Sequence, residues 1–147
     1  MARTKVRNPP PVPGKATWAL GLAGLLPMVV GAVTALATDL VPVVDAARLY
    51  GLVILSFLGG SHWGFNVRHN RTPLLALSML PALIGWAVWL GLDRVAGSVA
   101  LALAFVATQL LDEYQTEAGY LHAQYRSLRR LLTAVAAFSL LCMASAG

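Results

Sequence analysis

Residues 56–66, SFLGGSHWGFN, decide the fold class, because they place a histidine and an asparagine inside an apolar run long enough to cross a bilayer. Placing a charged residue at the centre of a membrane helix costs about 2.5 to 3.5 kcal/mol. A titratable residue such as His62 at this depth is therefore a candidate functional residue, and the surrounding run predicts a transmembrane helix.

The composition predicts the same class for the whole chain. Of its 147 residues 58% are hydrophobic and 12% are charged, and the mean hydropathy is +0.69. About 20 helical residues cross a hydrocarbon core, and five apolar runs approach this length: 17–38, 46–67, 73–92, 95–111 and 131–146. We expect an all-α, compact bundle of five transmembrane helices in one domain, 17–147, after a proline-rich basic tail, 1–16.

The basic residues predict the orientation, since Lys and Arg accumulate in short cytoplasmic loops. Only Arg48 and Arg94 of the eleven lie on one side of the predicted membrane, and the other nine lie on the opposite side: Arg3, Lys5, Arg7, Lys15, Arg68, Arg71, Arg126, Arg129 and Arg130. We expect the N-terminus in the cytoplasm, or in the matrix of an organelle, and the C-terminus opposite. Basic residues dispersed in this way do not predict a nucleic-acid partner.

The first run has an alternative interpretation as a secretory signal, with Ala35-Leu36-Ala37 resembling a cleavage site. Its apolar stretch is longer than the 7 to 15 residues of such signals, and prolines precede it. A transmembrane helix is the better fit. The single Cys142 cannot form an internal disulfide.

Two faces can be separated on the second run. Ser56, Gly60 and Gly64 recur every four residues and predict a narrow face for close helix packing. His62 and Asn66 lie one turn apart on a neighbouring face, where both could hydrogen-bond one partner. His62 is either a structural hydrogen bond between helices or a functional group, as a haem ligand, a quinone contact or a proton relay.

Other polar and aromatic residues fall in the same leaflet once the orientation is accepted. They predict a pocket that opens to the cytoplasmic side, with these candidate residues: His62, Trp63, Asn66, Ser78, Trp86, Gln109, Asp112, Tyr125, Arg129 and Thr133. Arg129 could pair with Asp112 there. The alternative is that Asp112 and Arg129 are separate, solvated helix ends.

The connection 112–130 is too polar to insert into lipid. Some of its apolar positions have helical spacing and predict a short amphipathic segment in the membrane interface: Tyr114, Ala118, Leu121, Tyr125 and Leu128.

The run 55–64, LSFLGGSHWG, resembles the signature of an uncharacterised membrane family, domain of unknown function 3429, the transmembrane protein 69-like proteins. The segment 19–27, ALGLAGLLP, the segment 78–81, SMLP, with Trp86, and the late residues Tyr125, Arg129 and Thr133 resemble further elements of that family. Gln124 departs from it, since a tryptophan is expected there. The resemblance implies a multi-span protein of bacterial or mitochondrial inner membranes and no established activity.

Three classes of function remain open. An accessory subunit or assembly factor of an energy-transducing membrane complex needs packing faces and little chemistry. A binder of quinone, haem or lipid needs the pocket around His62. A transporter, channel or enzyme is least supported, because the sequence has no inverted repeat, nucleophile with a base, phosphate loop or metal-ligand spacing, and thus no candidate catalytic or metal residues.

Overall fold

The computed structural model describes residues 12–38, 40–68, 72–117 and 123–145. Six helices and no strand occur in these ranges: α1 Lys15–Ala23, α2 Leu26–Ala37, α3 Val41–Arg68, α4 Thr72–Gly91, α5 Arg94–Glu117 and α6 Ala123–Ser145. With α1 and α2 taken as one span, five helices are long and apolar enough to cross a membrane, which confirms the all-α, five-span prediction. Most of the predicted basic tail, residues 1–11, lies outside the described residues.

The first span is broken into two helices, although we expected one. Pro27 has no N–H to donate to the carbonyl of Ala23, so the regular hydrogen-bond ladder cannot pass this point. The amide of Met28 bonds the Leu25 carbonyl at 3.1 Å. The carbonyl of Gly24 instead accepts the hydroxyl of Tyr50, on α3, at 3.0 Å. The break is therefore fixed to the bundle by a side chain.

Three predicted helix boundaries next to charged residues make the helices too short. The predicted spans begin at 46 and 131 and end at 111, whereas α3 begins at Val41, α5 continues to Glu117 and α6 begins at Ala123. The sequence-based bounds stopped at charges, but Asp112 and Arg129 are buried inside the bundle. The polar connection between α5 and α6 is thus shorter than expected, and its residues 118–122 lie outside the described residues.

The bundle is held by a core that all the longer helices share. α5 packs most extensively against α6, and α3 against α4, while α2 contacts both α3 and α6. The hydrophobic residues with no exposed surface come from α2, α3, α5 and α6: Met28, Leu55, Leu101, Leu140 and Met143. α1 contributes no buried residue. The second half of the first span is therefore part of the core, and the first half lies on its surface.

The predicted packing face of α3 is wrong for contacts within this chain. A Cβ atom built on Gly60 or on Gly64 has no atom within 4 Å. The close approach is made by Gly59, where a Cβ atom would lie 2.6 Å from the carbonyl oxygen of Ser78 on α4. The close contact within the bundle thus lies one residue before Gly60, and the face with Gly60 and Gly64 points away from the bundle.

Candidate functional site

Asp112 joins three helices through one carboxylate. Its Oδ1 lies 2.8 Å from Nε2 of His62, on α3. Its Oδ2 accepts a hydrogen bond of 2.7 Å from Nε of Arg129, on α6. The structure therefore brings the predicted Asp112 and Arg129 into direct contact and adds His62 to them. We call these three residues the His62 cluster.

The three side chains of the His62 cluster are almost completely buried. The side chain of Asp112 is 3% exposed, and those of His62 and Arg129 are each 7% exposed. A buried charge is tolerated only when it is paired and hydrogen-bonded, because desolvation costs several kcal/mol per ion. The guanidinium of Arg129 offsets the charge of Asp112, so the cluster has no net charge when the imidazole is neutral.

Two buried nitrogen atoms of the His62 cluster have no hydrogen-bond partner among the described residues. They are Nδ1 of His62 and Nη2 of Arg129. A buried polar group without a partner costs about 1 to 3 kcal/mol, and such groups are uncommon in folded proteins. The cluster thus has one hydrogen-bonding position to spare on each of two helices.

A cavity of about 480 Å³ begins at this cluster and runs along the bundle under α1. Its lining includes three polar side chains, those of Tyr125, Arg129 and Thr133. The rest of the wall is mostly apolar and includes Leu20 and Phe57, which are 74% and 67% exposed and therefore place its rim at the lipid-facing surface. Sites for small molecules have this character, with apolar walls and a few placed polar groups in about 300 to 1,000 Å³.

A second cavity, of about 110 Å³, lies directly against the His62 cluster. All three residues of the cluster line it, together with Leu58, Ser61, Phe65, Gln115 and Tyr125, and four of these eight residues also line the large cavity. The shared residues are Leu58, Ser61, Tyr125 and Arg129. The two cavities are therefore neighbours across a common wall.

A chain of polar contacts leads from the large cavity to the surface. Thr133 donates to Oε1 of Gln109 at 3.3 Å, and the amide of Gln109 donates to Glu113 at 3.3 Å. Glu113 is paired with the half-exposed Arg130 at 2.5 and 2.6 Å. Gln109 is thus placed beside the candidate site by Thr133, although it does not line either cavity.

Four predicted pocket residues lie elsewhere. Asn66 donates to the carbonyl of Leu74 at 3.4 Å, and Ser78 donates to its own helix, so both belong to the contact between α3 and α4. Asn66 and His62 therefore do not share a partner as predicted. Trp63 is 43% exposed and Trp86 is 63% exposed. Both indoles face outward, because the helical period of 3.6 turns them away from the buried faces.

The part that α1 and α2 play was not predicted. Leu20, Gly21, Gly24 and Met28 line the large cavity, yet the first run was predicted as one transmembrane helix outside the pocket. The spacing of Gly24 and Pro27 was the signal that could have revealed a broken helix there.

A second group of charges lies toward the opposite end of α3. Arg48 donates to Asp45 at 3.2 Å and stands 5.7 Å from the ring centre of Trp89. Arg94 donates to both oxygens of Asp45, at 3.1 and 3.3 Å. Arg48 is buried, whereas the side chain of Asp45 is 38% exposed. We call Asp45, Arg48, Trp89 and Arg94 the Arg48 cluster; it ties α3 to the start of α5.

The residues of the site give little support to a metal or haem ligand role. Within the described ranges, no three His, Cys, Asp or Glu side chains gather where they could hold a metal ion. The Nε2 atom of His62 is already bonded to Asp112. A haem iron would therefore have to be bound through Nδ1, in a space with room for about 110 Å³.

Comparison with known proteins shows one clear relationship. The family described as "Protein of unknown function (DUF3429)" matches residues 13–145. Transmembrane protein 69 of Xenopus tropicalis is 35% identical over 128 residues, which are 82% of this chain and 50% of that protein. The chain thus spans about half the length of this curated relative. No solved structure matches the chain.

Proposed function

Because this chain belongs to the DUF3429 family, whose name assigns no activity, we propose its function from its own geometry: it binds a membrane-soluble amphiphile. The polar head of that molecule lies at the His62 cluster, and its apolar chain lies in the large cavity. The observation that carries this proposal is a pair of adjoining cavities, of about 480 and 110 Å³, lined by a cluster that has two buried, unpartnered nitrogen atoms.

The walls of the cavity favour an amphiphile over a water-soluble ligand. Leu20, Leu132 and Phe57 offer only carbon to an occupant, and burying an apolar chain against them gains about 25 cal/mol per Å². Nδ1 of His62 and Nη2 of Arg129 gain a partner only if the occupant brings polar atoms to the opposite end. A molecule with one polar end and one apolar end satisfies both demands.

The proposed setting is a bacterial inner membrane or a mitochondrial inner membrane, with the N-terminus in the cytoplasm or the matrix. The distribution of Lys and Arg supports this orientation. It places the His62 cluster in the leaflet of the cytoplasm or matrix, and the Arg48 cluster in the opposite leaflet.

The proposal that the protein binds an amphiphile is tested by purifying the full chain from native membranes in a gentle detergent. The bound molecules are then identified by mass spectrometry. We expect about one amphiphile per chain. Ser61→Trp places a large side chain on the wall that the two cavities share, and should remove the bound molecule. Val53→Trp adds the same ring to the exposed side of the same helix and serves as the matched control.

Two results would contradict the proposal. Wild-type protein that carries only bulk lipid in bulk proportions has no specific occupant. Equal retention of the molecule by Ser61→Trp and Val53→Trp would place it outside the cavity. Circular dichroism on each sample establishes that the variants have kept their helices.

The second candidate is an accessory or assembly role in a larger, energy-transducing membrane complex. It is supported by the face of α3 with Ser56, Gly60 and Gly64, where no other described element lies within 4 Å of a Cβ position on either glycine. Small residues on an uncovered face permit another membrane helix to approach closely.

This candidate is tested by the particle mass in native membranes. Gly60→Leu should release companion subunits without unfolding the chain, whereas Val43→Leu, at an exposed position on another face of the same helix, should leave the particle unchanged. A wild-type particle that contains only this chain would contradict an accessory role.

A further inference from the structure

We propose that the head group of the bound amphiphile is a phenol or hydroquinone ring whose hydroxyl donates to Nδ1 of His62 and accepts from Nη2 of Arg129. The proposal rests on the proposed function, because it names the chemical class of the molecule at the same site. It follows from the hydrogen on each nitrogen, the charge of the cluster and the size of the small cavity.

The carboxylate of Asp112 determines the state of the imidazole. A carboxylate only accepts hydrogen bonds, so Nε2 of His62, 2.8 Å away, carries the hydrogen. In the neutral ring, Nδ1 is then an acceptor. Arg129 already offsets the charge of Asp112, and a second buried positive charge on the imidazole would have no counter-ion in the cluster.

The two unpartnered atoms therefore differ in kind. Nδ1 of His62 accepts a hydrogen bond, and Nη2 of Arg129 donates one. A hydroxyl group donates and accepts through one oxygen, so it can satisfy both atoms. A carboxylate or phosphate only accepts and would bring negative charge to a neutral cluster, whereas an ammonium only donates.

The small cavity distinguishes a ring from a simple alcohol. Its volume of about 110 Å³ is about three quarters of the roughly 150 Å³ of a cavity that holds benzene, so it takes at most one ring, with the substituents of that ring in the larger cavity. Leu58 and Phe65 supply apolar surface for the faces of a ring, and Tyr125 stands at the wall shared with the larger cavity. A ring in the small cavity can thus extend its alkyl or prenyl chain into the large one.

The proposal is tested on the full chain in nanodiscs of phosphatidylcholine, with three radiolabelled probes of equal chain length. The probes are decyl hydroquinone, its dimethyl ether and decanoate. We expect the hydroquinone to bind about tenfold more tightly than the dimethyl ether, which cannot donate to Nδ1, and decanoate to bind more weakly than the hydroquinone.

His62→Gln removes the acceptor atom Nδ1 and keeps a donor to Asp112. The amide nitrogen of glutamine can still donate to Asp112, but no acceptor remains at the position of Nδ1. We expect this variant to bind the hydroquinone and its dimethyl ether alike. Trp63→Gln is the control, because Trp63 is the outward-facing neighbour and should leave the tenfold preference intact.

Each result has one meaning. Equal wild-type affinity for the hydroquinone and its dimethyl ether overturns the phenol inference, as does tighter binding of decanoate or no binding of any probe. The proposed function survives these results if a native amphiphile still accompanies the purified protein, and the comparison of Ser61→Trp with Val53→Trp tests it independently of the probes. The comparison of probes on wild-type protein decides the matter even if His62→Gln does not fold.

Discussion

An ion pair between an aspartate and an arginine lies near each end of α3, and the two pairs differ in burial. In the His62 cluster an aspartate and an arginine meet at 2.7 Å with side chains 3% and 7% exposed. In the Arg48 cluster the aspartate is 38% exposed and is shared by Arg48 and Arg94. Arg48 and His62 are 14 residues apart, or about 21 Å along the helix. The difference teaches that burial of the carboxylate, rather than residue type, distinguishes the candidate site from a structural ion pair.

The largest expected effect comes from removing the charge of each aspartate in turn. Asp112→Asn leaves the guanidinium of Arg129 buried without a counter-ion and should lower the free energy of unfolding by about 3 to 5 kcal/mol. Asp45→Asn acts on a carboxylate that is 38% exposed, and Arg48 keeps the Asp93 carbonyl and the ring of Trp89 as partners, so the loss should be about 1 kcal/mol or less. Unfolding in mixed micelles of increasing dodecyl sulfate content measures both. Equal losses would break the comparison.

A smaller difference is expected when a methyl group is added to a glycine at each end. In Gly59→Ala the new Cβ atom meets the backbone carbonyl of Ser78 at 2.6 Å, and we expect a loss of about 1 to 3 kcal/mol. In Gly97→Ala it meets Nη2 of Arg48 at 2.7 Å, which is the far end of a flexible side chain. The loss should therefore be smaller.

Gly60→Ala is the control for both glycine variants, since nothing lies within 4 Å of its Cβ position. Thermal unfolding in one detergent compares all three. If Gly60→Ala lost as much stability as Gly59→Ala, the inward register of α3 would be wrong.

The smallest effect concerns the two tryptophans of α4. Trp89→Leu removes the ring that lies 5.7 Å from the guanidinium of Arg48 and should cost about 0.5 to 1 kcal/mol. Trp86→Leu replaces an indole that is 63% exposed and should leave the stability of the isolated chain unchanged. The dodecyl sulfate series used for the aspartates resolves this difference, and a larger loss for Trp86→Leu would count against the placement of that ring.

Some features of this protein could be predicted because they depend on simple periodicity and length. Five apolar runs predicted five spans, and the depths of His62, Asp112 and Arg129 along their helices placed them in one layer, where the structure brings them together. Depth was predictable because a helix rises 1.5 Å per residue whatever it packs against.

Rotation about the helix axes was less predictable. Trp63 and Trp86 were assigned to the pocket but lie on outward faces, and Gly60 was chosen where Gly59 makes the contact. In lipid, apolar residues cover both faces of a helix, so hydrophobic periodicity carries little information about which face is inside. The boundary at residue 111 was misplaced for another reason. The carboxylate of Asp112 is hydrogen-bonded by His62 and Arg129 inside the bundle, so the helix does not need to end there to reach water.

The break between α1 and α2 has a kinetic consequence. α1 covers the cavity, yet it buries none of its own residues, and its junction is held to α3 by the hydroxyl of Tyr50 on the Gly24 carbonyl. Segments with few buried contacts open at the lowest free-energy cost. Displacing α1 about this junction would connect the cavity directly with the hydrocarbon of the leaflet. The residence time of an occupant would then be governed by one hydrogen bond and a loosely packed half-helix, independently of how poorly that occupant dissolves in water.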